Sequence, residues 1–418
     1  MQEDNISLEK RIFMLSKTYF LVNSYFVHWQ DCPDLELDQL YQETIPKIIR
    51  AENSYDFFLT MREFMTPLNN SHTTYVDLQF QSSIRGNIGF KFRNIGGKWV
   101  ITRSTIDSLK EGDIIEMIDD ETIDDYYNRM KKSITSSGER ARKNTFSGQN
   151  IYFPIKFALT LENGKKIMVN QEDNLKKTPI LEVSGRWLED GKVAYIKIPS
   201  FGMPEMEEKA LEYVEEYFDS DTIIIDLRQN SGGSSPMRLI RKLMNKPYRW
   251  WLESTNQHYG VFNFRYEQYS KMIETVEDED TKNYLQGSLD AFKPFSKAQM
   301  IWHPEVKQPK EDCYNGNLIL LIDSFVVSAA EDFSMLFKDN KRATLVGETT
   351  LGSTGQPYIY QFDNQKMVMV GAKRAYFPDG SKFEGVGIKP DIELKPTIDD
   401  LKAGKDSILE YVMKNLIK

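Results

Sequence analysis

Leu318 to Gly355 reads LILLIDSFVVSAAEDFSMLFKDNKRATLVGETTLGSTG, and this stretch decides the fold. It opens on an apolar run, Leu318 to Ile322, of the length of a buried strand. A polar step, Asp323-Ser324, follows, then Val326-Val327-Ser328-Ala329-Ala330-Glu331. From Ser328 onward Phe333, Leu336 and Phe337 recur at helical spacing. A strand, a tight bend and a helix make half a unit of a parallel α/β sheet. Ser328 stands at the bend. A helix start offers free N–H groups and a positive dipole end to developing negative charge, so this corner suits a nucleophile. The same residues also fit a capping box, in which Ser328 and Glu331 merely satisfy the helix start.

The flanking chain extends the α/β pattern. Val193 to Phe201 reads as a strand, Met206 to Phe218 as an amphipathic helix, and Thr222 to Leu227 as a buried strand. Arg228-Gln-Asn-Ser-Gly232-Gly233 leads into a helix from Met237 to Met244. The glycine pair permits backbone conformations closed to other residues and can turn N–H groups toward one point. It also fits an ordinary strand-to-helix turn, and the dinucleotide spacing G-x-G-x-x-G is absent. Lys246 to Asn317, aromatic and charged, reads as an insertion covering the site. Downstream, Ala343 to Gly347 is another strand. Lys366 to Gly371 and Ala372 to Phe377 are expected to form a β pair. Glu384 lies in a glycine-punctuated loop ending at Pro390-Asp391, and Ile398 to Ile417 closes mostly as helix.

Three parts are expected: a helical domain over residues 1–79, a β-rich module over 80–180 and the α/β core over 181–418. The last N-terminal helix ends near Asn69-Asn70, and Ser71-His72 follows. A lone histidine at a helix exit is more often structural than functional. In the second part glycines punctuate short alternating runs, and Ser136 to Lys143 reads as a polar loop.

Composition narrows the function. At 418 residues the chain can hold several domains and a large core. A net charge of −9 and a pI near 5.3 argue against a nucleic-acid partner. No apolar run reaches membrane-spanning length. MQEDNISLEK lacks the basic and apolar regions of a signal peptide, so export to the periplasm or cell surface is expected only of a chain with a leader ahead of these residues. Cys32 and Cys313 make neither a disulfide framework nor a metal cage. His28, His72, His258 and His303 show no ligand spacing, so neither a metal nor another cofactor is expected. Nothing in the pattern speaks for or against an oligomer.

Four stretches in order, DLRQNSGG (Asp226 to Gly233), SFVVSAAEDF (Ser324 to Phe333), VGETTLGSTG (Val346 to Gly355) and EGVGIKPDI (Glu384 to Ile392), resemble the catalytic core of the C-terminal processing, or tail-specific, serine peptidases. The resemblance implies a ClpP/crotonase-like α/β spiral core, a preceding helical domain and a small PDZ-like β module. It implies Ser328 as nucleophile. One branch of that family pairs its serine with a lysine in the glycine-rich motif after V-G-E. Ser353 occupies that position here, and no lysine lies between Arg342 and Lys366. The other branch, resembling the tricorn core protease, carries Ser-His after its N-terminal helices and a glutamate before Pro-Asp. Ser71-His72 and Glu384 match it.

The chemistry implied is acyl transfer to Ser328, with His72 as general base and Ser71 and Glu384 supporting the ring. The N–H of Ala329 and that of Gly232 or Gly233 would hold the oxyanion. Ser353, lacking an amine, is expected to matter little. Ile88-Gly89-Phe90 resembles a PDZ carboxylate-binding turn, which would capture an extended peptide or unfolded protein by strand addition; the module also reads as a β domain that only packs on the core. The rival functions are a catalytically idle relative that binds peptides or apolar ligands, and a crotonase-like acyl-CoA enzyme. The second leaves Ser71-His72 unexplained.

Overall fold

The computed structural model describes residues 6–80, 86–174, 182–255, 259–291, 301–302 and 306–417. Its centre is a six-stranded sheet, in the order Ile392–Glu393, Thr344–Gly347, Asn317–Ile322, Thr222–Asp226, Val193–Lys197 and Ser184–Glu189. Neighbouring strands are parallel except for the last pair. The apolar runs of Thr222–Asp226 and Asn317–Ile322 explain the centre, since a parallel strand covered on both faces needs apolar residues throughout. Ile223, Ile225, Leu320 and Ile322 face the helices Pro204–Glu216, Met237–Leu243 and Ala329–Asp339 on one side. Ile224, Ile319, Leu321 and Val346 face the closing helix Ser407–Asn415 on the other.

The first three helices, Leu8–Tyr25, Leu37–Arg50 and Ser54–Met65, share a core with Tyr75, Val368 and Val370. Those last residues belong to an antiparallel sheet ordered Thr74–Asp77, Lys366–Gly371 and Pro357–Gln361. Lys366–Gly371 therefore does not pair with the strand after it, as the sequence suggested. Lys373–Tyr376 instead pairs with Leu252–Thr255 from the insertion. The two runs serve different sheets, and Ala372 between them, fully buried, is where the chain crosses over.

Residues 88–169 bury their own aromatic core around Phe92, Trp99, Phe146 and Phe153. Five antiparallel strands, Phe90–Ile95, Lys98–Ser104, Ile114–Ile118, Lys156–Leu161 and Lys166–Asn170, carry it, with the helices Ile123–Met130 and Glu139–Gly148. The stretch read as a polar loop is in part the second of these helices. Its apolar anchors, Ala141 and Phe146, are too few and too widely spaced to show in a polar run. The insertion contributes helices Tyr259–Thr275 and Glu279–Ala291. Among the described residues no helix is long and apolar enough to cross a membrane.

Candidate active site

Ser328 ends the loop after Asn317–Ile322 and precedes the helix Ala329–Asp339. Its backbone lies at φ 58° and ψ −127°, a conformation that costs a non-glycine residue about 1–3 kcal/mol. Tight bonding holds it there. The Ser328 N–H donates to the Ser353 carbonyl at 3.0 Å, and the Ser328 carbonyl accepts from Glu331 and Asp332 at 2.7 and 3.0 Å. The Ser328 hydroxyl caps nothing. Glu331 does not reach back to it. The Glu331 carboxylate accepts from the N–H groups of Gly352 and Ser353 at 2.7 and 2.9 Å and from the Thr350 hydroxyl. The capping-box reading thus fails: Ser328 starts the helix through its backbone alone, and its side chain is left for other use. Burial pushes the Glu331 carboxyl up to about 8.

Gly232 packs directly on Ser328. A Cβ there would fall 2.6 Å from the Ser328 Cβ and 2.7 Å from the Val327 carbonyl, and φ is +76°. Gly232→Ala should therefore displace Ser328 and reduce kcat by about 10²-fold or more, since small misplacements of reacting groups carry such losses. Retention of the parent kcat by a folded variant would contradict this geometry. The Gly232 N–H is already given to Asn230 Oδ1 at 2.8 Å. The N–H groups of Gly233 and Ala329 have no partner among the described residues.

His72 comes from the turn between the N-terminal helices and the strand Thr74–Asp77. Asn69, in the left-handed conformation at φ 48°, reverses the chain just before it. Its Nε2 lies 3.4 Å from Ser328 Oγ and its Nδ1 2.8 Å from Ser353 Oγ. Ser353 Oγ in turn donates to Glu384 Oε1 at 2.9 Å. A carboxylate only accepts, so the chain of bonds has one direction. Ser353 gives its proton to Glu384 and accepts from Nδ1–H of His72, which leaves the Nε2 lone pair facing Ser328. Burial pushes the His72 imidazole down to about 4, with the charges of His28 and Lys373 acting the same way. Burial also raises Glu384, against the opposing pull of His28 and the Ser137 and Ser353 hydroxyls.

Ser71 does not touch the ring. Its hydroxyl lies 3.0 Å from Ser137 Oγ and accepts from the Ser137 N–H at 2.9 Å. Ser137 donates to Glu384 Oε1 at 2.5 Å, and Asn70 Nδ2 donates to the same oxygen at 2.8 Å. Glu384 Oε2 is buried with no partner among the described residues. Sequence reasoning thus missed Ser353 as the neighbour of His72, and Asn70 and Ser137 as donors to Glu384. Asn70 adjoins Ser71-His72, and that proximity was the available signal. Ile88-Gly89-Phe90 lies in the β module, where the side chains of Ile88 and Phe90 are buried in the module's own core, so only backbone groups could meet a ligand. Among the described residues no three His, Cys, Asp or Glu side chains converge as metal ligands would.

Residues 192–394 match the family described as Peptidase family S41. Carboxyl-terminal-processing peptidase 2 of Arabidopsis thaliana is 24% identical over 224 residues, 52% of this chain and 35% of that protein. Tricorn protease of Thermoplasma acidophilum is 21% identical over 423 residues, 94% of this chain and 33% of that protein. An uncharacterised protein of Chlamydia muridarum is 25% identical over 286 residues, 56% of this chain and 45% of its own length. The chain thus spans less than half the length of these curated relatives. Among solved structures, mature CPAF superposes with a TM-score of 0.71 at 17% identity, covering 98% of this chain and 97% of that one, which shows a shared mixed α/β fold. Ser328, the glycine pair and Glu384 all lie inside the matched region, so over residues 192–394 the chain is similar to peptidase family S41, and its relatives include carboxyl-terminal-processing and tail-specific proteases.

Proposed function

We propose that the chain is a serine peptidase that hydrolyses peptide bonds through an acyl-enzyme on Ser328. The observation that carries this reading is the bonded line Ser328, His72, Ser353, Glu384. His72 Nε2 takes the Ser328 proton as the hydroxyl attacks the substrate carbonyl, and later gives it to the leaving amine. Glu384 stabilises the imidazolium through the Ser353 hydroxyl. The unengaged N–H groups of Ala329 and Gly233 receive the oxyanion. Gly232, already bonded to Asn230, serves by lacking a side chain.

The substrate in this reading is an extended peptide or unfolded protein. The sheet order, with a helix in each connection from Val193–Lys197 through Thr222–Asp226 and Asn317–Ile322 to Thr344–Gly347, fits a ClpP/crotonase-like core. The cluster at 88–169 supports a PDZ-like module, and the separate clusters of the N-terminal helices and of the core sheet support the division 1–79, 80–180 and 181–418, although the hairpin of residues 357–371 packs with the first part. Incubation with an unstructured protein such as casein tests the activity: fragments should accumulate with the parent chain and not with Ser328→Ala.

Ser353 carries a sharper expectation than the sequence suggested. Ser353→Ala removes the hydroxyl that joins the His72 ring to Glu384. It should lower kcat by about 10²-fold with little change in KM, because the lost bonds matter most when His72 is charged. A kcat within a few-fold of the parent would remove Ser353 from the proton line.

A further inference from the structure

A cavity of about 430 Å³ opens where the β module meets the core, and neither Ser328 nor His72 lines it. Arg93 lines it from the strand Phe90–Ile95, and Arg140 and Lys143 line it from the helix Glu139–Gly148. Ser324 and Glu348 line it from the loops after two core strands. Its volume suits a small molecule.

The charges are unevenly satisfied. Each acid at the cavity already has a cation. Glu348 Oε2 pairs with Arg93 Nη2 at 2.5 Å, Glu393 with Lys395 at 3.0 Å, and Glu139 with Arg142 at 3.0 Å and the Tyr127 hydroxyl at 2.7 Å. The cations keep donors to spare. Arg93 Nε is buried with no partner among the described residues, although an orphaned charged donor is costly. Lys143 Nζ lies 6.0 Å from the Trp99 ring centroid and has no ion pair among the described residues. Arg140 spends one nitrogen, Nη2, on three carbonyls: Thr350 at 2.7 Å, Leu351 at 3.3 Å and Val386 at 2.8 Å. The rest of its guanidinium forms no further bond among the described residues. Free guanidinium and ammonium donors around one cavity match the acceptor geometry of carboxylate and phosphate groups.

Arg140 gives the cavity a link to the chemistry. The carbonyls it holds belong to the loop that carries Ser353 and the loop that carries Glu384. Ser324 and Glu348 begin the loops that lead to Ser328 and Ser353. We propose that this cavity binds a small anion bearing carboxylate or phosphate groups, and that the occupant braces Arg140 and, through it, the Ser353 and Glu384 loops. The bracing half rests on the peptidase reading; the binding half does not.

The full chain is titrated calorimetrically with citrate and, separately, with inorganic phosphate, in a buffer of uncharged or cationic components. Saturable one-site binding of at least one of them is expected, and the tighter of the two shows whether carboxylates or phosphate are preferred. Lys143→Gln should weaken it about tenfold or more, and Arg93→Gln should do the same in a second background. Absence of saturable heat with both probes, or unchanged affinity in both variants, would overturn the site. For the second half, kcat on a fluorogenic peptide should rise as the parent is saturated and stay flat with Arg140→Met. An unchanged kcat in a saturated, active parent would overturn the bracing. Because binding is read by heat, an inactive protein would refute the peptidase reading without touching the binding site.

Discussion

Ser328→Ala should abolish turnover down to what binding and the oxyanion donors alone supply, a loss on the order of 10⁴-fold or more. The reason is the local geometry. The backbone at Ser328 is held in an unfavourable conformation by bonds to Ser353, Glu331 and Asp332, while His72 is the one hydrogen-bond partner of its hydroxyl among the described residues. A residue that served only to start a helix would not need that strain. Alanine tolerates the same backbone no worse than serine, so the variant should fold. The parent-to-variant ratio of kcat/KM on one fluorogenic peptide measures the effect. A ratio near one would place the nucleophile elsewhere.

His72→Ala should have nearly the same effect, because nucleophile and base act as a unit. The base works only when neutral, so kcat/KM must rise with pH and then level off. An ordinary histidine would place that rise at roughly pH 6 to 7.5. Burial here pushes His72 down to about 4, so the neutral form persists to lower pH and the rise should move to the acid side of that range. Glu384 acts in the same direction at low pH. Burial raises its carboxyl, and once protonated it no longer supports the imidazolium. Activity is thus present above these transitions and lost as pH falls through them. The residual activity of His72→Ala should lack the His72 limb. A folded His72→Ala enzyme that keeps most of the activity, with an unchanged acid limb, would refute the assignment.

The parts of this site that were legible in the sequence are those tied to local motifs. The Ser328 corner shows as an apolar strand followed at once by a helical period, and the core sheet shows as isoleucine and leucine runs. His72 and Glu384 were reached only through a family resemblance, since nothing in their own neighbourhoods marks them. The groups between them were not legible. Ser353 meets His72 across 281 positions, and Ser137 meets Glu384 across 247. A serine in a glycine-rich loop has the same local pattern whether it bridges two catalytic groups or faces water. Ser71, by contrast, was over-read, because adjacency in sequence to His72 does not bring it to the ring; the turn directs it to Ser137. The misread strand pair at 366–377 has a similar cause. The consecutive runs Lys366 to Gly371 and Ala372 to Phe377 read as a β pair by their pattern, although Gly371-Ala372 crosses from one sheet to another.

The account stands or falls on the hydroxyl of Ser328. The most direct measurement treats the parent chain with a fluorophosphonate and locates the adduct by peptide mass spectrometry. One adduct per chain, on Ser328, is the predicted result. It should be absent in Ser328→Ala and form far more slowly in His72→Ala, because the same base activates the hydroxyl toward phosphorus as toward a carbonyl. An adduct on a different residue, or an actively cleaving chain that stays unmodified at Ser328, would contradict it.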